Sequence, residues 1–218
     1  MPAIGLASAT SVYYKESDDA SNAMKYDDTG RLTEFGEFSI LETERLILRP
    51  ITLDDAAFWI RNFSDPDVVE LTAFEPPRTI ETAREEIATH CLKIFAENTG
   101  IRWGIAMKGS NQLIGTAGYY GWEKERGYHA SLGYDLLREH RGKGVMSEAL
   151  TAIISYGFEI MKLHRIQVMI DPRNEASIRL VERLGFTREG VLREDQYFRG
   201  QFQDDVVYSI LSREWTRR

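Results

Sequence analysis

Hydrophobic and polar positions recur along this chain with two periods, and the switches between them mark its elements. Arg45 to Pro50, with its apolar run Leu46-Ile47-Leu48, reads as a strand. Thr52-Leu53-Asp54-Asp55 has the form of a capping box and opens a short helix through about Phe63. A loop containing Pro66, Pro76 and Pro77 follows. Thr79 then caps a long amphipathic helix to about Glu97, apolar at Ile80, Ala83, Ile87, Cys91 and Ile94. Three strands are predicted near 101–107, 112–122 and 128–137, the first two joined through Gly109-Ser110-Asn111. A helix from about Gly142 to Met161 sets Met146, Leu150, Ile153, Gly157 and Met161 on one face. A strand at 164–170, a helix at 174–184 and a hairpin around Gly200 complete the pattern. Residues 1–36 are rich in Ser, Asp, Ala and Gly and show neither period, so they read as a tail, flexible or docked on the surface. Residues 37–218 then form one domain, an α/β fold whose mixed, twisted sheet has about seven strands flanked by about four helices.

One stretch carries chemistry. The extended run Leu132 to Leu137 leads into His140-Arg141-Gly142-Lys143-Gly144-Val145-Met146-Ser147-Glu148-Ala149 at the start of a helix. Two glycines let the backbone turn tightly and leave N–H groups uncovered, and with the positive helix end and Lys143 these make a pocket for a phosphate or pyrophosphate. An ordinary glycine-rich turn between strand and helix has the same local pattern. About 30 residues on come Asp171-Pro172-Arg173-Asn174-Glu175-Ala176-Ser177 and then Leu184-Gly185-Phe186. These motifs in this order resemble the GCN5-related N-acetyltransferase (GNAT) family, and within it the RimJ/RimL-like branch. The opening Leu41-Glu42-Thr43-Glu44-Arg45-Leu46-Ile47-Leu48-Arg49-Pro50 is similar to that branch, as are Glu189-Gly190-Val191-Leu192-Arg193 and Asp204-Asp205-Val206-Val207-Tyr208-Ser209. The resemblance spans roughly residues 40–215. Glu139 departs from it, standing where many relatives have Gln or Arg, outside the glycine turn.

The resemblance implies the GNAT fold, with a splay between the fourth and fifth strands, those ending near Leu137 and Ile170. The pantetheine arm of the co-substrate acetyl-CoA pairs there with exposed backbone as a pseudo-strand. It implies cofactor binding by Leu137, Arg138, Arg141, Gly142, Lys143, Gly144, Val145, Met146 and Ser147, and by Asn174 and Ser177. Asn174 equally fits an N-cap of the following helix. The implied activity is acetyl transfer to a primary amine by direct attack in a ternary complex, with a protein N-terminal α-amine as acceptor. The same chemistry on a small amine, amino acid, polyamine or antibiotic is the near alternative. A non-catalytic acyl-CoA sensor is the alternative from another class.

Such a transfer needs the acetyl carbon near the amine, a donor for the thioester oxygen, a neutral amine and a proton for the thiolate. A backbone N–H near Leu136 is the family-type oxyanion donor. Many GNAT enzymes carry a tyrosine seven residues after the asparagine; Val181 stands there, and Ser177, which matches the serine of the branch, reads equally as the proton donor or as a capping or helix-surface hydroxyl. The base is open: Ser131 occupies the strand position where relatives often have Glu, and Gln196 matches a second carboxylate position. His129, Glu123, Asp195 and Glu194 remain as candidates. A free α-amine has a pKa near 8 and is roughly a tenth neutral at pH 7, whereas a lysine amine near 10.4 is under about one part in a thousand neutral, so weak base provision favours α-amines. Phe63, Phe74, Trp103, Tyr119, Tyr120, Trp122, Tyr197 and Phe198 are available for an acceptor pocket.

Charge narrows the partners. The 27 basic and 34 acidic side chains give a net charge of −7 without a long single-sign block, which argues against nucleic acid but leaves room for a local cationic cluster at Arg138, Arg141 and Lys143. The single cysteine, Cys91, falls in a helix-core pattern and makes no intramolecular disulfide, which points to a cytoplasmic setting. No apolar run is long enough for a bilayer, no basic-then-apolar leader is present, and no membrane partner is expected. Cys91 reads as helix core in preference to a nucleophile, no metal site is expected, and a monomer or homodimer is. Neither G-x-x-x-x-G-K-[ST] nor G-x-G-x-x-G after the first strand is present, which disfavours a nucleotide-binding domain.

Overall fold

The computed structural model describes residues 23–71, 75–125 and 127–215. Its centre is an eight-stranded sheet in the order β3-β4-β5-β6-β7-β8-β10-β9. The strands are β3 (Leu41–Glu42), β4 (Leu46–Pro50), β5 (Ile101–Met107), β6 (Leu113–Glu123), β7 (His129–Leu136), β8 (Arg165–Ile170), β9 (Thr187–Phe198) and β10 (Gln201–Leu211). Seven were expected, and the eighth is the two-residue β3, too short to show a period. Every neighbouring pair is antiparallel except β7–β8.

That parallel pair defines the molecule. β7 and β8 pair only at His129↔Arg165, Ala130↔Ile166 and Ser131↔Gln167. Beyond Ser131 the strands diverge, opening the expected splay between β7 up to Leu136 and β8 up to Ile170.

Strand parity sorts the core onto two faces. Trp103 and Ile105 of β5 lie in one apolar cluster with Leu150, Ile153 and Tyr156 of α5 (Val145–Glu159), while Ala106 lies in another with Trp59 and Phe63 of α1 (Ala56–Phe63) and Ile87 of α3 (Ile80–Ile87). Gly157 is required where α5 meets the sheet, because a β-carbon there would overlap the Tyr119 hydroxyl, which donates to Ile153 O at 2.8 Å.

Two elements depart from the expected pattern. The proline loop contains α2 (Pro66–Leu71): Pro66 begins it, needing no N–H bond, and the Asp65 carboxylate accepts the Asp67 N–H at 3.0 Å. The long helix after Thr79 is interrupted by a π-helical stretch, Ala88–Lys93, before α4 (Ile94–Ala96). Cys91 sits inside that stretch, buried, and burial pushes its thiol up to about 12, consistent with core rather than chemistry.

Part of the expected tail is built into the domain. Residues 1–22 lie outside the described residues, but β1 (Lys25–Tyr26) and β2 (Leu32–Glu34) form a small hairpin. Leu32 is 0% exposed and joins the main core. Phe35 stacks on Phe95 at 5.3 Å and lies 4.8 Å from Trp122, and its N–H donates to Asn98 Oδ1. A composition without period conceals these two anchors, which fill a hollow made by distant residues. Among the described residues no helix is long and apolar enough to cross a membrane.

Candidate active site

The glycine turn lies between a 3-10 turn at Arg138–His140 and α5. Gly142 and Gly144 have φ of 72° and 74°, in the left-handed region that a β-carbon disfavours. Nothing lies within 4 Å of where a Gly142 β-carbon would stand, so the backbone is bare to a ligand. The turn is held from below by a residue the motif does not announce. Glu148 accepts from Thr43 Oγ1 at 2.5 Å, Arg45 N at 2.8 Å and Arg45 Nε at 2.6 Å. Arg45 Nη1 in turn donates to Lys143 O at 3.2 Å. Burial opposes the Glu148 charge, but these donors outweigh it and keep its pKa below the usual glutamate value.

A cavity of about 680 Å³ opens over the turn. Arg141, Gly142, Gly144, Val145, Met146 and Ser147 line it, and across the splay so do Asn174 and Ser177. The cavity has the bare turn, the start of a fifteen-residue helix and Arg141, with Arg179 and Arg183 also in its lining, which fits a diphosphate. Lys143 is exposed beside the turn and contributes its carbonyl to Arg45. Leu137 is buried and its N–H goes to Ile114 O, so that donor serves the sheet. Arg138 lies outside the cavity lining.

Arg138 and Arg141 share two carboxylates at the start of α2. Arg141 bonds Asp65 at 3.0 Å and Asp67 at 2.9 Å, and Arg138 bonds the same pair at 3.1 and 2.9 Å. Against the burial that would raise it, Asp65 is held below the usual carboxylate range by Arg138, the Asp67 N–H and the Arg141 charge. Glu139, the residue that departs from the family pattern, pairs outward with Arg61.

Inside the splay, Arg141 Nε donates to Leu136 O at 2.9 Å. Since the Leu137 N–H points to β6, the alternation of peptide groups along a strand turns the Leu136 N–H and C=O toward the wedge. The Tyr134 and Ser177 hydroxyls hydrogen-bond each other across it. Burial pushes the Tyr134 phenol up to about 12, against the opposing effect of Ser177, so it stays protonated. Asn174 caps α6 (Glu175–Arg183), its Oδ1 accepting the Ser177 N–H at 3.0 Å. The Asn174 amide N–H₂ makes no hydrogen bond among the described residues and lines the cavity, so capping and a ligand contact are compatible. Val181 is buried core, 0% exposed.

A second cavity of about 530 Å³ lies on the other side of the wedge and shares Leu71, Tyr134, Asp135, Asn174 and Ser177 with the first. Phe63, Tyr119 and Tyr120 line it, as does Gln196. Trp103, Trp122, Tyr197 and Phe198 do not: parity puts Trp103 on the α5 face, and Trp122 is engaged by Phe35 and Lys124. Phe74 lies outside the described residues. Neither cavity touches His129, Glu123, Glu194 or Asp195, and Ser131 accepts from Gln167 Nε2 at 3.1 Å. Instead the second cavity holds Trp59, His90, Arg102 and Asp135, which sequence reasoning missed. His90 sits on the π-helical stretch, and partial burial and the Arg102 charge hold its pKa below the ordinary histidine value. A widened turn in an otherwise regular helix is a frequent mark of function, but it leaves no sign in a single sequence.

The domain family described as Acetyltransferase (GNAT) domain matches residues 45–187. Uncharacterized N-acetyltransferase YoaA of Bacillus subtilis (strain 168) is 41% identical over 175 residues, covering 80% of this chain and 97% of that protein. The crystal structure of ribosomal-protein-S5-alanine acetyltransferase from Vibrio fischeri superposes with a TM-score of 0.68 at 26% identity, covering 81% of this chain and 98% of that one. Spermidine N-acetyltransferase from Vibrio cholerae, in complex with CoA and spermine, gives 0.67 at 25% identity, covering 78% and 96%.

Proposed function

Because this chain belongs to the GNAT acetyltransferase family, we propose that it transfers acetyl from acetyl-CoA to a free α-amine at a protein or peptide N-terminus, by direct attack in a ternary complex. The observation that carries this reading is the meeting of the two cavities at Tyr134, Asn174 and Ser177. A thioester delivered through the first cavity and an amine through the second come together at one wall, with no covalent enzyme intermediate required.

In this reading the turn from Arg141 to Ser147 holds the diphosphate, with Arg138 and Lys143 supplying charge nearby, and the Asn174 amide donates to the pantetheine arm. Leu136 N–H receives the charge that develops on the thioester oxygen as the amine nitrogen bonds to the carbonyl carbon. When the carbon–sulfur bond breaks, the thiolate takes the Ser177 proton, Tyr134 replaces it through the bond between the two hydroxyls, and Tyr134 takes a proton back from solvent as the products leave. The amine's proton passes to His90, neutral at pH 7. A histidine of depressed pKa is a weak base, adequate for an ammonium near 8 and poorly matched to a lysine near 10.4, in about the proportions of their neutral fractions.

Two results are expected. Ser177→Ala lowers kcat about tenfold to a hundredfold with little change in KM for acetyl-CoA, because a proton donor acts only as the thiolate forms. Tyr134→Phe shows the same split, whereas Asn174→Ala raises the KM. Steady-state kinetics decides, and a raised KM with unchanged kcat in Ser177→Ala would make the serine a binding residue only. For His90, kcat/KM should hold down to a pH below the ordinary histidine value of 6.5 and fall as the ring protonates, and His90→Gln should remove that inflection while lowering the rate. An unchanged pH profile in His90→Gln would return the base to water. Acetylation of a panel of N-terminal peptides, lysine, spermidine and small amines tests the reading as a whole. Turnover confined to small amines or polyamines would favour the near alternative, and coenzyme binding without any turnover a sensor.

A further inference from the structure

The floor of the second cavity is an ion pair whose two ends are unequally satisfied. Asp135 accepts from Arg102 Nη2, from Thr116 Oγ1 at 2.6 Å and Thr116 N at 3.2 Å, and from Asn62 Nδ2 at 2.6 Å. Both its oxygens are taken, and its side chain is 7% exposed. Arg102 spends Nε on Thr116 Oγ1 at 2.8 Å and Nη2 on Asp135, but its Nη1 makes no hydrogen bond among the described residues. Arg102 lines the cavity, so the pair turns its positive end toward whatever occupies it.

Gly133 keeps that end open. It lines the same cavity, and a β-carbon there would stand 3.5 Å from Arg102 Nη1 and 3.2 Å from Tyr120 Cε1. Its φ is not in the left-handed region, so backbone geometry does not demand glycine here, and the missing side chain leaves room above the guanidinium.

We infer that Arg102 determines specificity by donating from Nη1 to an oxygen of the acceptor close to its amine, a peptide carbonyl or a carboxylate. This rests on the α-amine reading above and narrows it. A half-buried guanidinium with a donor left over favours an oxygen acceptor and opposes a second ammonium, so amino acids and peptides fit the cavity floor and polyamines do not. The other charged groups on the cavity wall do not reverse this. Asp171 is bonded to Arg173 at 2.6 Å, and His90 is neutral at pH 7. Asp205, beyond Gln196, accepts from Gln196 Nε2 at 2.5 Å.

The test compares two acceptors of similar size with the full chain and acetyl-CoA: alanine N-methylamide, which has a carbonyl beside the amine, and sec-butylamine, which has none. Each acceptor is its own reference, so their different ionisation cancels in the ratio of variant to wild type. Arg102→Gln should lower kcat/KM about ten- to a hundredfold for the amide, chiefly through KM, and less than about threefold for sec-butylamine, the range for loss of one charged hydrogen bond. Gly133→Ala leaves the ion pair intact and should show the same selective loss, smaller in size. It decides the matter should Arg102→Gln fail to fold. Equal losses on both acceptors in these variants would overturn the role of Arg102 while leaving the α-amine reading intact. Wild-type turnover of sec-butylamine or spermidine but not of alanine N-methylamide would overturn that reading, and this inference with it.

Discussion

Gly144→Glu is expected to abolish acetyl-CoA binding. Gly144 is the residue just before α5, with φ 74°, and its peptide is part of the bare backbone at the positive helix end. A β-carbon in that conformation costs about 1–2 kcal/mol, which the fold tolerates with a modest loss of stability. The larger effect is local. The new side chain would start 3.6 Å from Arg45 Nη2, whose guanidinium already supports the turn through Lys143 O. Drawn to that cation, the carboxylate would compete with Glu148 for Arg45 and loosen the turn from below, and it would add a negative charge beside the backbone proposed to hold the diphosphate. Calorimetry at acetyl-CoA concentrations that saturate the wild type should show no heat of binding, beside a cooperative thermal transition a few degrees lower. Unchanged affinity would move the coenzyme off this turn.

Removal of the residues before Phe38 is expected to destabilise the fold by about 3–5 kcal/mol, the sum of a fully buried leucine and the ring contacts of a phenylalanine. Leu32 is wholly enclosed, and Phe35 covers Phe95 and Trp122. Two polar ties go with them: Phe35 N–H to Asn98, and Lys124 Nζ to Thr33 O at 2.8 Å. Against a total stability of about 5–15 kcal/mol for a typical domain, this is a large fraction. Urea denaturation of a chain beginning at Phe38, compared with one beginning at Ala23, measures it. Equal midpoints would mean the hairpin docks without contributing, as the composition of the segment suggests.

What the sequence made legible was local. The glycine turn, its helix and the Asn174 cap each depend on a few consecutive residues, and β5 and β6, buried on both faces, show as mostly apolar runs bounded by turn residues. The π-helical stretch did not show, since the spacing of Ile87, Cys91 and Ile94 fits an ordinary helix equally well. α2 was hidden because Pro66 reads as a breaker unless it is taken as the first helical residue behind the Asp65 cap. The second cavity draws on α1, the π stretch and strands β5 to β9, and no pattern within one element separates Trp59 of its wall from Trp103 of the core. Only the register across the sheet does so, and register is a property of pairs of segments.

The four-membered cluster of Arg138, Arg141, Asp65 and Asp67 has a consequence for how a coenzyme loads. The cationic rim of the cleft carries counterions that are covalently part of the chain. If the turn holds the diphosphate as proposed, its arrival is an ion exchange rather than the filling of a positive hole. On that reading Asp65 and Asp67 would give up part of their hold on Arg141 as the phosphates take it. Few mobile salt ions are released in such an exchange, so acetyl-CoA affinity should depend only shallowly on ionic strength. Inorganic phosphate, which lacks the adenosine and pantetheine contacts that would offset the displaced pairs, should compete poorly for the same arginine.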